Sequence, residues 1–161
     1  MLCSTRMRRY KPAAMFALLL LVGCGGKGNV SLTASIEQPR VAVEQLTLGT
    51  RLTGGFELVL EVGSEASSGS TVSLQRFELV RDGASVAGLA VRSDSHVFPL
   101  RVEKGQLVSV PFVFDDSQLL AAEVRDAVCA GSLRIAGAVT DTLSGGSTTP
   151  LTSAAVTPSG C

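Results

Sequence analysis

Three groups of residues have types and spacings that could do chemistry. The first is Arg92-Ser93-Asp94-Ser95-His96, which holds the chain's single histidine. In an extended segment Asp94 and His96 share one face, with Ser93 and Ser95 beside them. A hydrolase needs in addition a nucleophile aligned on the base and an oxyanion pocket. No G-x-S-x-G motif supplies them, and the stretch reads more simply as a polar turn between strands. The second group is Asp115-Asp116. It lacks the loop of a calcium-binding EF-hand and reads better as helix-start charge. The third is four cysteines, Cys3, Cys24, Cys129 and Cys161. Their wide spacing does not match a zinc site, and two thiols with His96 would leave a fourth ligand missing. There is no phosphate-binding loop and no dinucleotide fingerprint. Paired carboxylates for glycoside hydrolysis are defined by spatial separation, but the aromatic subsites that accompany them are lacking. No metal, cofactor or catalytic residue is therefore expected.

The cysteines are sorted by the amino terminus. Arg6, Arg8, Arg9 and Lys11 form a basic segment with no acidic residue. Ala13 to Val22 follows as an apolar run, half the roughly 20 residues needed to cross a bilayer. Basic flank and short apolar run together are those of a secretory signal. The run ends in Leu21-Val22-Gly23-Cys24, which resembles the lipobox of bacterial lipoproteins. The resemblance implies a diacylglycerol on the Cys24 sulfur and cleavage between Gly23 and Cys24. Residues 1–23 would then be a removed signal peptide, and residues 24–29 a lipidated cysteine and short tether. One acyl chain holds a protein only marginally, whereas two or three on one residue hold it stably. Gly25 stands where an aspartate favours inner-membrane retention in enteric bacteria, so the outer membrane is the favoured location. Residues 25–29, at ~3.5 Å each, reach no more than about 17 Å.

With Cys3 removed and Cys24 lipidated, Cys129 and Cys161 remain as an even pair in an oxidising compartment. Ser144-Gly145-Gly146-Ser147 is a turn signal midway between them. An antiparallel hairpin centred there brings both cysteines to its open end, within cross-strand disulfide range. Such a bridge stabilises by roughly 3–4 kcal/mol in the chain-entropy model.

Fourteen basic and fourteen acidic residues balance in the full chain. Loss of the four leader cations leaves the remainder net negative, with its basic residues scattered. Nucleic acid, which requires clustered positive charge, is excluded as a partner. There is no tryptophan, and the lone tyrosine is Tyr10 in the leader. Phe56, Phe77, Phe98, Phe112 and Phe114 each fall in an apolar alternation and are assigned to a core, not to a ligand-stacking face.

Residues 30–161 read as a single domain of strands and turns. Val30 to Ile36 and Val41 to Leu48 are two candidate strands. Phe56, Leu58, Leu60 and Val62 alternate against Glu57 and Glu61. Val72 and Leu74 are out of phase with Phe77 and Leu79, which predicts a bulge at Gln75-Arg76. Asp82-Gly83 closes a hairpin into Ala84 to Val91. Lys104-Gly105 is predicted to join two strands, the second with Val108, Val110, Phe112 and Phe114 inward. Pro111 then points outward and favours an edge position. Ser117 to Val128 has near-helical apolar spacing, with Asp115, Asp116 and Ser117 suited to start a helix.

This pattern predicts an all-β fold, an antiparallel β-sandwich of about seven to nine strands with one short helix. The layout resembles immunoglobulin-like bacterial domains. The stretch GFELVLEVGSEASSGSTVSLQRFELVRDGASVAG also resembles the WHy domains of LEA-type proteins. Their Asn-Pro-containing strand end is replaced here by Gly63-Ser64-Glu65. Both resemblances imply a sandwich and no functional residue. The expected function is that of a non-catalytic envelope lipoprotein, held to the bilayer by acylated Cys24 and either binding an envelope protein partner or serving a structural role. The alternative is a small-ligand carrier or hydrolytic enzyme whose site forms only on folding.

Overall fold

The computed structural model describes residues 31–115 and 118–161. Gly23, Cys24 and the expected leader and tether lie outside the described residues, as do Asp116 and Ser117.

Two antiparallel sheets face each other across one hydrophobic core. The first is built on a long hairpin of β1 (Leu32–Leu46) and β2 (Gly49–Val62), continued by β8 (Leu107–Asp115) and the short β6 (Val91–Arg92). The second contains β3 (Ser70–Leu74), β4 (Phe77–Arg81), β5 (Ala84–Leu89), β7 (Leu100–Val102), β9 (Arg134–Asp141) and β10 (Thr148–Thr152). Among the described residues a single helix, α1 (Ala122–Cys129), precedes β9.

Binary patterning fixes which side chains face inward. Along β2, Phe56, Leu58, Leu60 and Val62 are buried, with the intervening residues more exposed. Along β8, Val110, Phe112 and Phe114 are buried while Pro111 is exposed. Period-2 alternation of this kind is what a sheet with one face on a core requires.

The phase slip at Gln75-Arg76 is a bulge. Leu74 pairs with Val139 and Glu78 with Ala136, so one extra residue is inserted between them. β3 and β4 are thus two halves of one path along β9, counted separately because of the slip. That division contributes to a total of ten strands, against the seven to nine expected. The Asp82-Gly83 hairpin forms as expected, with φ of 50° and 81° at the two turn residues, both in the left-handed region that an Asp-Gly turn supplies.

Two expectations, the division of the first strand and the helix start, need correction. Val30 to Ile36 and Val41 to Leu48 are not separate strands. Within the described residues they are one strand, β1, bent where Gln38 and Pro39 together oppose Phe56. Gln38 takes a φ of 49° at that bend. Lys104-Gly105 joins two strands as expected, β7 and β8. β7 pairs with β3 in the second sheet and β8 with β2 in the first, so the chain changes sheet at this turn. The helix begins at Ala122, not Ser117, and its N-cap Ala121 makes no side-chain cap. Asp115 stays in β8 because it pairs with Thr53 in register and its carboxylate meets Arg51 at 3.3 Å.

At the centre of the core, the ring centroids of Phe56 and Phe77 lie 5.2 Å apart and those of Phe56 and Phe112 5.3 Å apart. Phe98, half-buried, adds a fourth ring 5.6 Å from Phe112. Phe77 lies flat against Gly137 of β9, where a Cβ would come within 2.3 Å of the ring. The ring has no room to withdraw, being 1% exposed and held by Phe56 and Phe112. Gly137→Ala is therefore expected to destabilise the fold by about 1–3 kcal/mol, the usual cost of overpacking. Urea denaturation of the variant checks this, and an unchanged midpoint would refute the tight Phe77–Gly137 contact.

Candidate functional site

The Arg92–His96 segment leads from β6 toward the cis Phe98-Pro99 bond and β7. Its side chains are paired differently from a catalytic triad. The Asp94 carboxylate is held by the Arg92 guanidinium at 2.7 Å. His96 Nδ1 shares a hydrogen bond of 2.8 Å with the hydroxyl of its neighbour Ser95, which also lies 3.2 Å from the Ser93 hydroxyl. Aspartate and histidine are thus engaged with different partners, and Asp94 does not orient the imidazole. Asp94 and Ser95 are exposed and His96 is half-buried.

Asp115 belongs to a surface ion cluster. Arg51 on β2 bonds Glu44 of β1 at 2.8 Å and reaches Asp115 of β8 at 3.3 Å. Hydrogen bonds from Arg51 and Thr53 hold the Glu44 carboxyl below its ordinary value. In turn the hydrogen bond to Glu44, with the Asp115 charge, raises the Arg51 guanidinium. Among the described residues no three histidine, cysteine or acidic side chains group closely enough to hold a metal ion.

The sulfur atoms of Cys129 and Cys161 are 2.07 Å apart, at disulfide distance, and their Cα atoms 5.5 Å apart. The expected hairpin exists: Thr148 pairs with Thr140 across the Gly145-Gly146 turn. The cysteines, however, are not cross-strand neighbours within it. Cys129 is the last residue of α1, and Cys161 ends a tail that continues past β10. A bridge between Leu133 and Val156 prolongs the hairpin toward its open end, and the two arms then diverge and meet again at the sulfurs.

No protein family, curated protein or solved structure matches this chain.

Two polar side chains with structural roles were not singled out from sequence. Arg81, at the end of β4, donates to the carbonyl oxygens of Ala127, Val128, Gly131 and Ser132. These include carbonyls that the C-terminus of a helix leaves unpaired. The guanidinium thereby ties α1 to the second sheet. Asp141, only 4% exposed, ends β9. It accepts from the Ser144 amide at 3.0 Å, the Ser144 hydroxyl at 2.6 Å and the Ser70 hydroxyl at 3.1 Å. Aspartate bonding the backbone a few residues ahead is a turn-forming habit, so the Asp-Thr-Leu-Ser-Gly-Gly order was the available signal for it.

The surface carries open grooves. One of 440 Å³ runs between β5 and the segment entering α1, lined mainly by apolar side chains including Leu52, Val86, Leu119, Leu120 and Val124. Another of 370 Å³ lies between the bend of β1 and the C-terminal tail. Neither includes the Ser95–His96 pair, Asp141 or the cysteines among its lining residues.

Burial raises the Asp141 carboxyl, but the bonds from Ser144, Ser70 and the Leu143 amide outweigh it and hold the group below its ordinary value. A carboxyl more acidic folded than unfolded stabilises the fold above its unfolded pKa of about 3.9. That contribution disappears as pH falls through the lower folded value. Asp141→Asn is thus expected to cost about 1–3 kcal/mol at neutral pH. The stabilities of the two proteins should converge below about pH 4, read from urea midpoints at each pH. A gap that persists in acid would rule out the charged form as its source.

Proposed function

We propose that this chain is a bacterial envelope lipoprotein anchored by lipid on Cys24, with a non-catalytic β-sandwich that binds a protein partner or serves a structural role. The observation that carries the reading is Leu21-Val22-Gly23-Cys24, placed directly after a basic and a short apolar segment. Gly25 in the following position favours the outer membrane. The pairing of Cys129 with Cys161 supports an oxidising compartment, and it leaves Cys24 as the thiol available for acylation once the leader is cut.

The position of β1 supports the same arrangement. Its first residue, Leu32, is eight residues beyond Cys24, a span of at most about 28 Å. The sandwich end that begins there also carries the Lys104-Gly105 corner, since Gly63 bonds Ser31 and Gly105 bonds Val62. At the opposite end lie the β1–β2 turn and the start of α1, joined by the bond from the Leu120 amide to the Thr50 carbonyl. Leu46, Leu48 and Leu119 are exposed at that far end, where a partner above the bilayer would meet them.

Fractionation of cells making the native chain should recover it with membranes, and its mature form should begin at Cys24 with added diacylglycerol mass. Cys24→Ser, once freed of its leader, should move to the soluble fraction. A mature chain that starts elsewhere and carries no acyl mass would remove the basis of the proposal.

A further inference from the structure

After Ser153 the chain leaves β10 and runs as a tail, residues 154–161, over one side of the sandwich. Val156 exchanges two backbone hydrogen bonds with Leu133, each 2.8 Å long. The tail then crosses to the first sheet. The Val43 amide donates to the Ser159 carbonyl at 2.8 Å, and the Ser159 amide donates to the Val41 carbonyl at 3.0 Å. Ser159 therefore sits as a parallel neighbour on the outer edge of β1, the position an added strand would take.

Besides covalent attachment, the tail is held by the half-buried Val156 packed against the core and by a few exposed contacts such as Ser132–Thr157. None of residues 154–161 is buried, and the last core side chain in the sequence is Leu151. These contacts and a handful of backbone hydrogen bonds, which water can replace, must offset the ordering of eight residues. The end of the tail is fixed by Cys161, which is exposed and bonded to the half-buried Cys129 at the end of α1.

We propose that the Cys129–Cys161 disulfide is a latch: its reduction by a dithiol releases the tail from the edge of β1. The reductant's thiolate attacks the exposed Cys161 sulfur. The S–S bond breaks, and its electron pair leaves on the Cys129 sulfur, which takes up a proton. The reductant's second thiol, as its thiolate, then attacks the mixed disulfide and frees the Cys161 thiolate, which is protonated in turn. Two electrons pass to the protein, and the dithiol becomes a disulfide. Release leaves the Val43 N–H and the Val41 carbonyl open to water or to another extended chain, while the core, whose fully buried side chains include none from the tail, stays closed. The inference does not depend on lipidation at Cys24.

Hydrogen exchange of the full chain in detergent, with and without dithiothreitol, tests it. On reduction the Val43 and Ser159 amides should exchange at least about tenfold faster, and the Leu58 and Val110 amides should change by no more than about twofold. Cys161→Ser should show the same local acceleration without reductant. Unchanged exchange at Val43, with both thiols shown free by alkylation, would overturn the proposal. So would uniform acceleration across the core, because the disulfide would then hold the whole fold and not a latch.

Discussion

The two sheets meet where Phe77 of the second packs on Phe56 and Phe112 of the first, its ring seated against Gly137 of its own sheet. Phe77 begins the second half of the path along β9, immediately after the inserted residue at Gln75-Arg76. Without the insertion, the side chains that follow would point to the opposite face. With it, Phe77 turns inward, lies on the bare backbone of Gly137 and meets Phe56 and Phe112 from the other sheet. A chain with no tryptophan and a single tyrosine, Tyr10 near its start, has few large side chains to fill a sandwich. Concentrating three phenylalanines at one level, over a glycine that lets one of them sit close, is how this core reaches across its full thickness.

A similar accommodation shapes the first sheet. A Cβ at Gly54 would strike both the Arg40 carbonyl and the Phe114 ring, and one at Gly55 would strike the Phe112 carbonyl. These glycines pair with Arg40 and Val41, immediately after the bend of β1 at Gln38-Pro39. The long hairpin can therefore fold over the core at that level, burying Ile36 before the bend and Val41 and Val43 after it. Bulge, bend and glycines act together, because a flat hairpin of this length could not keep both ends on one compact core.

Much of this was legible in the sequence, because alternation and turn chemistry are local. The inward face of β2 and β8, the bulge before Phe77, the Asp82-Gly83 hairpin and the Gly145-Gly146 turn all follow from residues within a few positions of each other. Partner choice is not local. Lys104-Gly105 encodes a reversal, but whether the next strand rejoins the same sheet depends on which edge is vacant, and β2 offers its edge to β8. The helix start was misplaced because Asp115 had two possible roles, and cross-strand pairing with Thr53 and Arg51 prevailed over capping. The proximity of Cys129 and Cys161 was foreseen from the centred turn, although the sulfurs meet beyond the hairpin and not across it. Asp141 and Arg81 went unmarked because their partners, Ser70 and the end of α1, are remote in sequence.

Open strand edges remain the exposure that any incomplete barrel must manage. β8 is covered by β6 only at Val113 and Phe114, and Pro111 lies on the uncovered stretch. β10 pairs on one side with β9 and carries Pro150 at its centre. Each proline lacks the N–H that an incoming strand would need at that point. β1 has no such device beyond its bend: Val41, Ala42 and Val43 are ordinary strand residues. There the protection comes from the chain's own tail, whose Ser159 occupies the ladder position. The edges of β8 and β10 are thus blunted by residue type, whereas that of β1 is blunted by a segment that a covalent bond holds in place. Only protection of the kind found at β1 can be withdrawn without changing the sequence.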